Sequence, residues 1–280
     1  MRLHHLVLAA VALLLFNGCS KKQATRTTEI LGYKDMPAEQ REIVLTGQRA
    51  YEQYCTGCHG VDGDGKGLAA DMLITKPRNF TQGLFKFKLT PTGSLPTDED
   101  VLRTITNGVS RTSMPAWSLV PESEKLALVQ YLKTFSERWR NEKPAQAILI
   151  PDPPPFVGTA LSVAKGKRVY ADMQCKACHG ELGHGDGPSA PDLTDSDGNK
   201  IKPFNFTTGL LKGGRSVKDI YRTFTTGLDG TPMPSYQDVI PEEDRWHMIS
   251  YVLHLMNKTK VSAAEVATAE HQLPPPSTNQ

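Results

Sequence analysis

The strongest constraint on this chain is a pattern written twice. Cys55-Thr56-Gly57-Cys58-His59-Gly60 recurs 120 residues later as Cys175-Lys176-Ala177-Cys178-His179-Gly180. Much else falls into the same register. Gly63, Gly65 and Gly67 meet Gly183, Gly185 and Gly187, and Asn79-Phe80-Thr81 meets Asn205-Phe206-Thr207 after a six-residue insertion in the second copy. At an offset of 119, Arg103-Thr104, Gly108, Thr112 and Met114-Pro115 meet Arg222-Thr223, Gly227, Thr231 and Met233-Pro234. Pro121-Glu122 and Tyr131 then meet Pro241-Glu242 and Tyr251. Register sustained over about 100 residues means a duplicated domain, whereas a solenoid repeats much shorter units. A length of 280 residues with 39% hydrophobic content suits two globular domains. The net charge of +2 provides no field for gripping a polyanion, so nucleic acid is excluded as a partner.

Around the two copies the composition changes. Arg2, His4 and His5 precede an eleven-residue apolar run over 6–16. At about 1.5 Å per residue that run is too short for a bilayer core of about 30 Å, so 1–18 is expected to be a secretory signal and is set apart from the fold. Gly18-Cys19 after the run resembles the lipobox of bacterial lipoproteins, which implies cleavage before Cys19, its acylation, and a lipid anchor on a membrane surface. Residues 19–37 are expected to be a tether, and 38–142 the first domain. Residues 143–160, with Pro144, Pro151 and Pro153-Pro154-Pro155, form a stiff linker. Residues 161–258 form the second domain, and 259–280 are expected to be a disordered tail.

Each copy is helical at its ends. Ile43, Gly47, Tyr51 and Tyr54 share one face of a helix that Pro37 starts and that runs into the cysteine motif; Val163, Gly166, Tyr170 and Met173 repeat it. Pro121 and Pro241 start a second helix in each copy, with Leu128, Tyr131, Leu132 and Phe135 on the apolar side of one and Met248, Tyr251, Val252 and Leu255 on that of the other. No stretch alternates as a strand does. The fold class is therefore all-α.

Cys-x-x-Cys-His is the attachment signature of c-type haem: two thiols that close can form thioethers to the two vinyl groups while the adjacent histidine reaches the iron. A lone copy is also compatible with a fragment of a zinc site, but zinc needs four ligands and no other cysteine pair completes one. Two copies behind a secretory signal point to two haem c groups, on Cys55 and Cys58 and on Cys175 and Cys178. His59 and His179 are the expected proximal ligands. Met114 lies 55 residues after His59 and Met233 54 after His179. Both precede proline, which biases the methionine toward extended backbone, and their matched placement makes them the expected sixth ligands. Met72 and Met173 are assigned to packing. His184, His247 and His254 have no partner in the first copy and are taken as loop or helix-surface residues.

On these residues each copy resembles a class I cytochrome c domain, over about 38–140 and 161–257, and the whole resembles dihaem cytochromes c with His/Met ligation at both irons. The resemblance implies that Gly47 and Tyr51 pack against Leu128 and Tyr131, and Gly166 and Tyr170 against Met248 and Tyr251. It also implies a proline carbonyl accepting from the proximal histidine, for which Pro77 and Pro191 are the candidates.

A six-coordinate iron has no vacant position for a substrate, and methionine ligation favours the reduced metal. The expectation is one-electron transfer between a redox donor and acceptor on the outer, periplasmic side of the cytoplasmic membrane, as a tethered shuttle or as a subunit of a respiratory oxidoreductase. The loops over 195–202 in one copy and 86–97 in the other exceed a minimal carrier and favour the subunit. A dihaem peroxidase is the enzymatic alternative. It requires one iron that opens to peroxide. A structural haem-bearing assembly subunit is a third class.

Overall fold

The computed structural model describes residues 30–214 and 216–275, so the signal segment and Cys19 lie outside the described residues. Among the described residues there are ten α-helices and no strand, only an isolated bridge between Thr194 and Lys200. The first domain contains α1 (Ala38–Tyr54), α2 (Thr56–His59), α3 (Asp98–Asn107), α4 (Glu122–Lys133) and α5 (Arg138–Asn141). The second contains α6 (Ala160–Asp172), α7 (Lys176–His179), α8 (Val217–Thr226), α9 (Glu242–Leu255) and α10 (Ala263–Glu270).

Local chemistry sets the starts. Pro37, Pro121 and Pro241 stand as N-caps in extended backbone, one residue ahead of α1, α4 and α9. Thr97 with Asp100 and Ser216 with Asp219 close reciprocal capping boxes on α3 and α8. α1 then crosses α4, and α6 crosses α9, at a glycine. A β-carbon on Gly47 would overlap the Ala127 carbonyl and the Tyr131 side chain; one on Gly166 would overlap the His247 carbonyl and Tyr251. Tyr51 and Tyr131 meet at 5.3 Å between ring centroids, as Tyr170 and Tyr251 do at 5.2 Å. Each crossing sits in its own core of buried aliphatic and aromatic side chains.

Three expectations change. Ile30 is buried and Tyr33 and Met36 pack against the first core, so the tether ends earlier than 37. α10 occupies the tail expected to be disordered. Its Ser262/Glu265 capping box and alanine-rich sequence favour helix, and it buries Val266 and Ala269 against α6, with Glu270 2.7 Å from Lys167. A proline-rich C-terminal composition hides such a short helix. His247, taken as a helix-surface residue, is buried on α9, where Nδ1 lies 2.9 Å from Ser162 Oγ.

The domains meet through polar loops. Asp197 accepts from Asn79 Nδ2 at 2.8 Å and Gln82 Nε2 at 2.7 Å, while Ser196 Oγ donates to Gln82 Oε1 at 2.7 Å. Lys88 lies 3.2 Å from Asp229, with side chains 0% and 4% exposed, which makes the pair an internal one. Both loops that exceed a minimal carrier are thus engaged by the other domain.

Candidate functional site

In each copy the cysteine motif is held by the same contacts. Tyr51 Oη donates to the Gly60 carbonyl at 2.7 Å, and Tyr170 Oη to the Gly180 carbonyl at 2.7 Å, which ties the first helix to the end of the motif. The glycine-rich loop folds back over it. Gly65 and Gly67 amides donate to the His59 and Cys58 carbonyls, and Gly185 and Gly187 amides to those of His179 and Cys178. Phe80 stacks on His59 with centroids 4.5 Å apart, and Phe206 on His179 at 4.7 Å.

The histidine Nδ1 atoms face backbone carbonyls, at 3.0 Å from Arg78 for His59 and 3.2 Å from Phe204 for His179. A carbonyl only accepts, so Nδ1 carries the proton and Nε2 keeps its lone pair for a metal. Burial lowers the pKa of both rings from the usual histidine value, which maintains that neutral form. The acceptors are not the expected prolines. In the first domain the partner is the residue after Pro77. In the second, the Pro191 carbonyl accepts instead from Lys200 Nζ at 3.1 Å, and the acceptor lies on the strip before Asn205-Phe206. Arg78 and Phe204 hold the same place in the two copies, between a proline and Asn-Phe-Thr, so the strip leading into that motif runs beside the ring in both domains.

The methionines arrive on matched turns. The Val109 amide donates to the Met114 carbonyl at 3.1 Å, and the Met114 amide to Thr112 Oγ1 at 3.1 Å; Leu228, Met233 and Thr231 repeat this at 3.1 and 3.2 Å. Gly108 and Gly227, at φ 63° and 69°, open these turns where a β-carbon would strike the backbone after Met114-Pro115 or Met233-Pro234. Thr112 and Thr231 went unassigned in the sequence. Their repetition two residues before each methionine was the available signal.

Cys55, His59 and Met114 line one apolar cleft, together with Tyr54, Trp117 and Leu132 among others. In the second domain Cys175 and Met233 pack against the same core cluster. Burial pushes the Cys55 thiol up to about 12 and the Cys175 thiol up to about 11, with the neighbouring motif cysteine adding to each. Among the described residues no three His, Cys, Asp or Glu side chains converge as metal ligands would. An apolar slot bordered by the first cysteine of the motif, an imidazole with a free lone pair and a thioether fits haem c.

Known proteins agree. The second domain matches the family model described as cytochrome c over residues 163–256. The first matches that of cytochrome c oxidase, cbb3-type, subunit III over residues 42–132. No curated relative matches the chain. Among solved structures, a chain of the Kuenenia stuttgartiensis reducing HAO-like protein complex Kustc0457/Kustc0458 is 44% identical, with a TM-score of 0.73 over 75% of this chain and 95% of that one.

Proposed function

The chain belongs to the cytochrome c family, and from that premise we propose that it is a dihaem electron-transfer subunit of a larger redox assembly whose partner is an HAO-like protein. Its two cytochrome c domains carry two covalently bound haem c groups. Cys55 and Cys58 would hold the first and Cys175 and Cys178 the second, with His59 and Met114, and His179 and Met233, placed to bind the two irons. When bound, haem supplies a one-electron ferric/ferrous couple. The chain's own residues do the rest. The Arg78 and Phe204 carbonyls keep each imidazole oriented by its Nδ1 proton. The Thr112 and Thr231 hydroxyls fix the turns that present sulfur, and the aromatic walls exclude water.

The convergence of Cys55, His59 and Met114 in one cleft carries this reading, because an iron bound by both His59 and Met114 would exchange electrons and have no position left for peroxide. The relative in a reducing HAO-like complex supports the partner. Among the described residues no helix is long and apolar enough to cross a membrane. The lipobox-like Gly18-Cys19 after the apolar run supports attachment through Cys19 on the outer side of the cytoplasmic membrane, after export by residues 1–18.

Affinity purification from native membranes tests the assembly. Stoichiometric recovery of an HAO-like protein is expected, and recovery of the cytochrome alone favours a free shuttle. Cys19→Ala is expected to release the protein from membranes once partner contacts are removed.

A further inference from the structure

Asp229 stands four residues before Met233, in the turn that presents its sulfur. First-domain groups bond its carboxylate. It accepts from Thr92 Oγ1 at 2.7 Å and from the Gly93 amide at 3.1 and 3.2 Å, and Lys88 Nζ lies 3.2 Å away. Lys88 also donates to the Thr90 carbonyl at 3.0 Å and to that of Pro91, so its ammonium is fully committed inside this junction. The loop carrying these donors is braced in turn. Arg138 donates to the Gly83 carbonyl at 3.0 Å and the Gly93 carbonyl at 2.7 Å, and the Ile148 amide donates to the Leu89 carbonyl at 2.7 Å.

A second contact grips the same turn, since the Ser196 amide donates to the Gly230 carbonyl at 3.0 Å while Ser196 Oγ binds Gln82 of the first domain. The arrangement is one-sided. At the matching position of the first copy stands Ser110. The first methionine turn reaches across differently, with the Arg111 guanidinium 5.7 Å from the ring of Phe204.

We propose that Lys88, Thr92 and Asp229 are positioning residues through which the first domain holds the Met233 turn, so that the ligation of the second haem is set partly from outside its own domain. The charged pair is buried and hydrogen-bonded on every side, which is the condition under which an ion pair fixes one geometry. Within the second domain the turn is secured by the short bonds among Leu228, Thr231 and Met233 and by the Ser196 amide on the Gly230 carbonyl. This inference rests on Met233 being the ligand of the second iron.

The test uses the full-length dihaem protein. Lys88→Met, in the first domain, is expected to weaken the sulfur-to-iron band of the second haem, lower that haem's potential and displace the resonance of the Met233 methyl, while the first haem keeps its values. Thr92→Val, which removes one exposed hydroxyl donor, is expected to shift the same signals less and serves if Lys88→Met does not accumulate. Lys88→Met/Asp229→Leu, with both charges gone, is expected to recover part of the loss. An unmoved second haem in a folded Lys88→Met or Thr92→Val protein, or a change confined to the first haem, overturns the proposal. Absence of a sulfur band at the second haem of the unaltered protein overturns instead the ligand assignment beneath it, so the two failures are distinguishable.

Discussion

The two domains share their haem-facing parts and differ where they touch each other and at one helix crossing. Gly47 lies against the Ala127 carbonyl in the first domain, and Gly166 against the His247 carbonyl in the second. The geometry is the same, but the side chain leaving that backbone is not. In the second domain His247 is buried beside Ser162 Oγ, which donates to Ser250 Oγ at 2.6 Å, with Glu243 3.3 Å from the other ring nitrogen. The corresponding position in the first domain needs only a methyl group. What repeats is therefore what holds a haem. What does not repeat, the insertions with Lys88 and Asp197, Asp229, and the His247 network, adapts each copy to its place in a pair.

The largest effect tests the shared part. Gly47→Val and Gly166→Val each drive a branched side chain into a carbonyl and a tyrosine, and each is expected to cost its domain about 3 kcal/mol or more. Haem stoichiometry by intact mass and thermal unfolding measure it. A severe loss in one copy and none in the other breaks the equivalence of the crossings.

Next comes the junction. Asp229→Asn leaves the Lys88 ammonium buried without its counter-charge, and removal of one partner from such a pair costs about 3–5 kcal/mol. Denaturant unfolding followed at each haem is expected to split into two transitions, because the domains lose their strongest mutual contact. A single unchanged transition contradicts the reading of this pair as the link.

The histidine gives a smaller effect that only one domain shows. Burial holds the His247 imidazole neutral, below its usual 6.5, with Lys165 contributing in the same direction. Unfolding therefore takes up a proton at acid pH. The second domain should keep its full stability above about 6.5 and lose up to about 1.4 kcal/mol per pH unit below it, until the folded ring itself titrates. His247→Ala should flatten this dependence, and an equal dependence in the first domain removes the contrast. Smallest is the tail. Ser262→Ala removes the cap of α10 and is expected to cost about 1 kcal/mol locally, visible as faster amide exchange over residues 263–270.

How much of this was legible follows the same division. Duplication made the cysteines, histidines, methionines and crossing glycines visible, because a residue kept in register twice carries its own control. The Nδ1 acceptors were misplaced, since any residue supplies a carbonyl and only the path of the chain decides which one faces the ring. Lys88 and Asp229 left no signal: each occurs once, and their pairing depends on how the domains are set against each other. His247 looks like a surface residue in the sequence because a polar side chain's burial depends on its partner, here Ser162, which lies 85 residues away and is itself bonded to Ser250. α10 was lost in a composition that resembles a tail.

The central claim is that both irons are held by histidine and methionine, and near-infrared magnetic circular dichroism of the oxidised protein tests it most directly. The unaltered protein should show the sulfur-to-iron band at the intensity of two such haems, with Met114→Ala and Met233→Ala each removing the share of its own haem and lowering that haem's potential. A spectrum in which either iron of the unaltered protein lacks sulfur ligation, joined to rapid turnover of peroxide, would contradict the account and make the chain an enzyme.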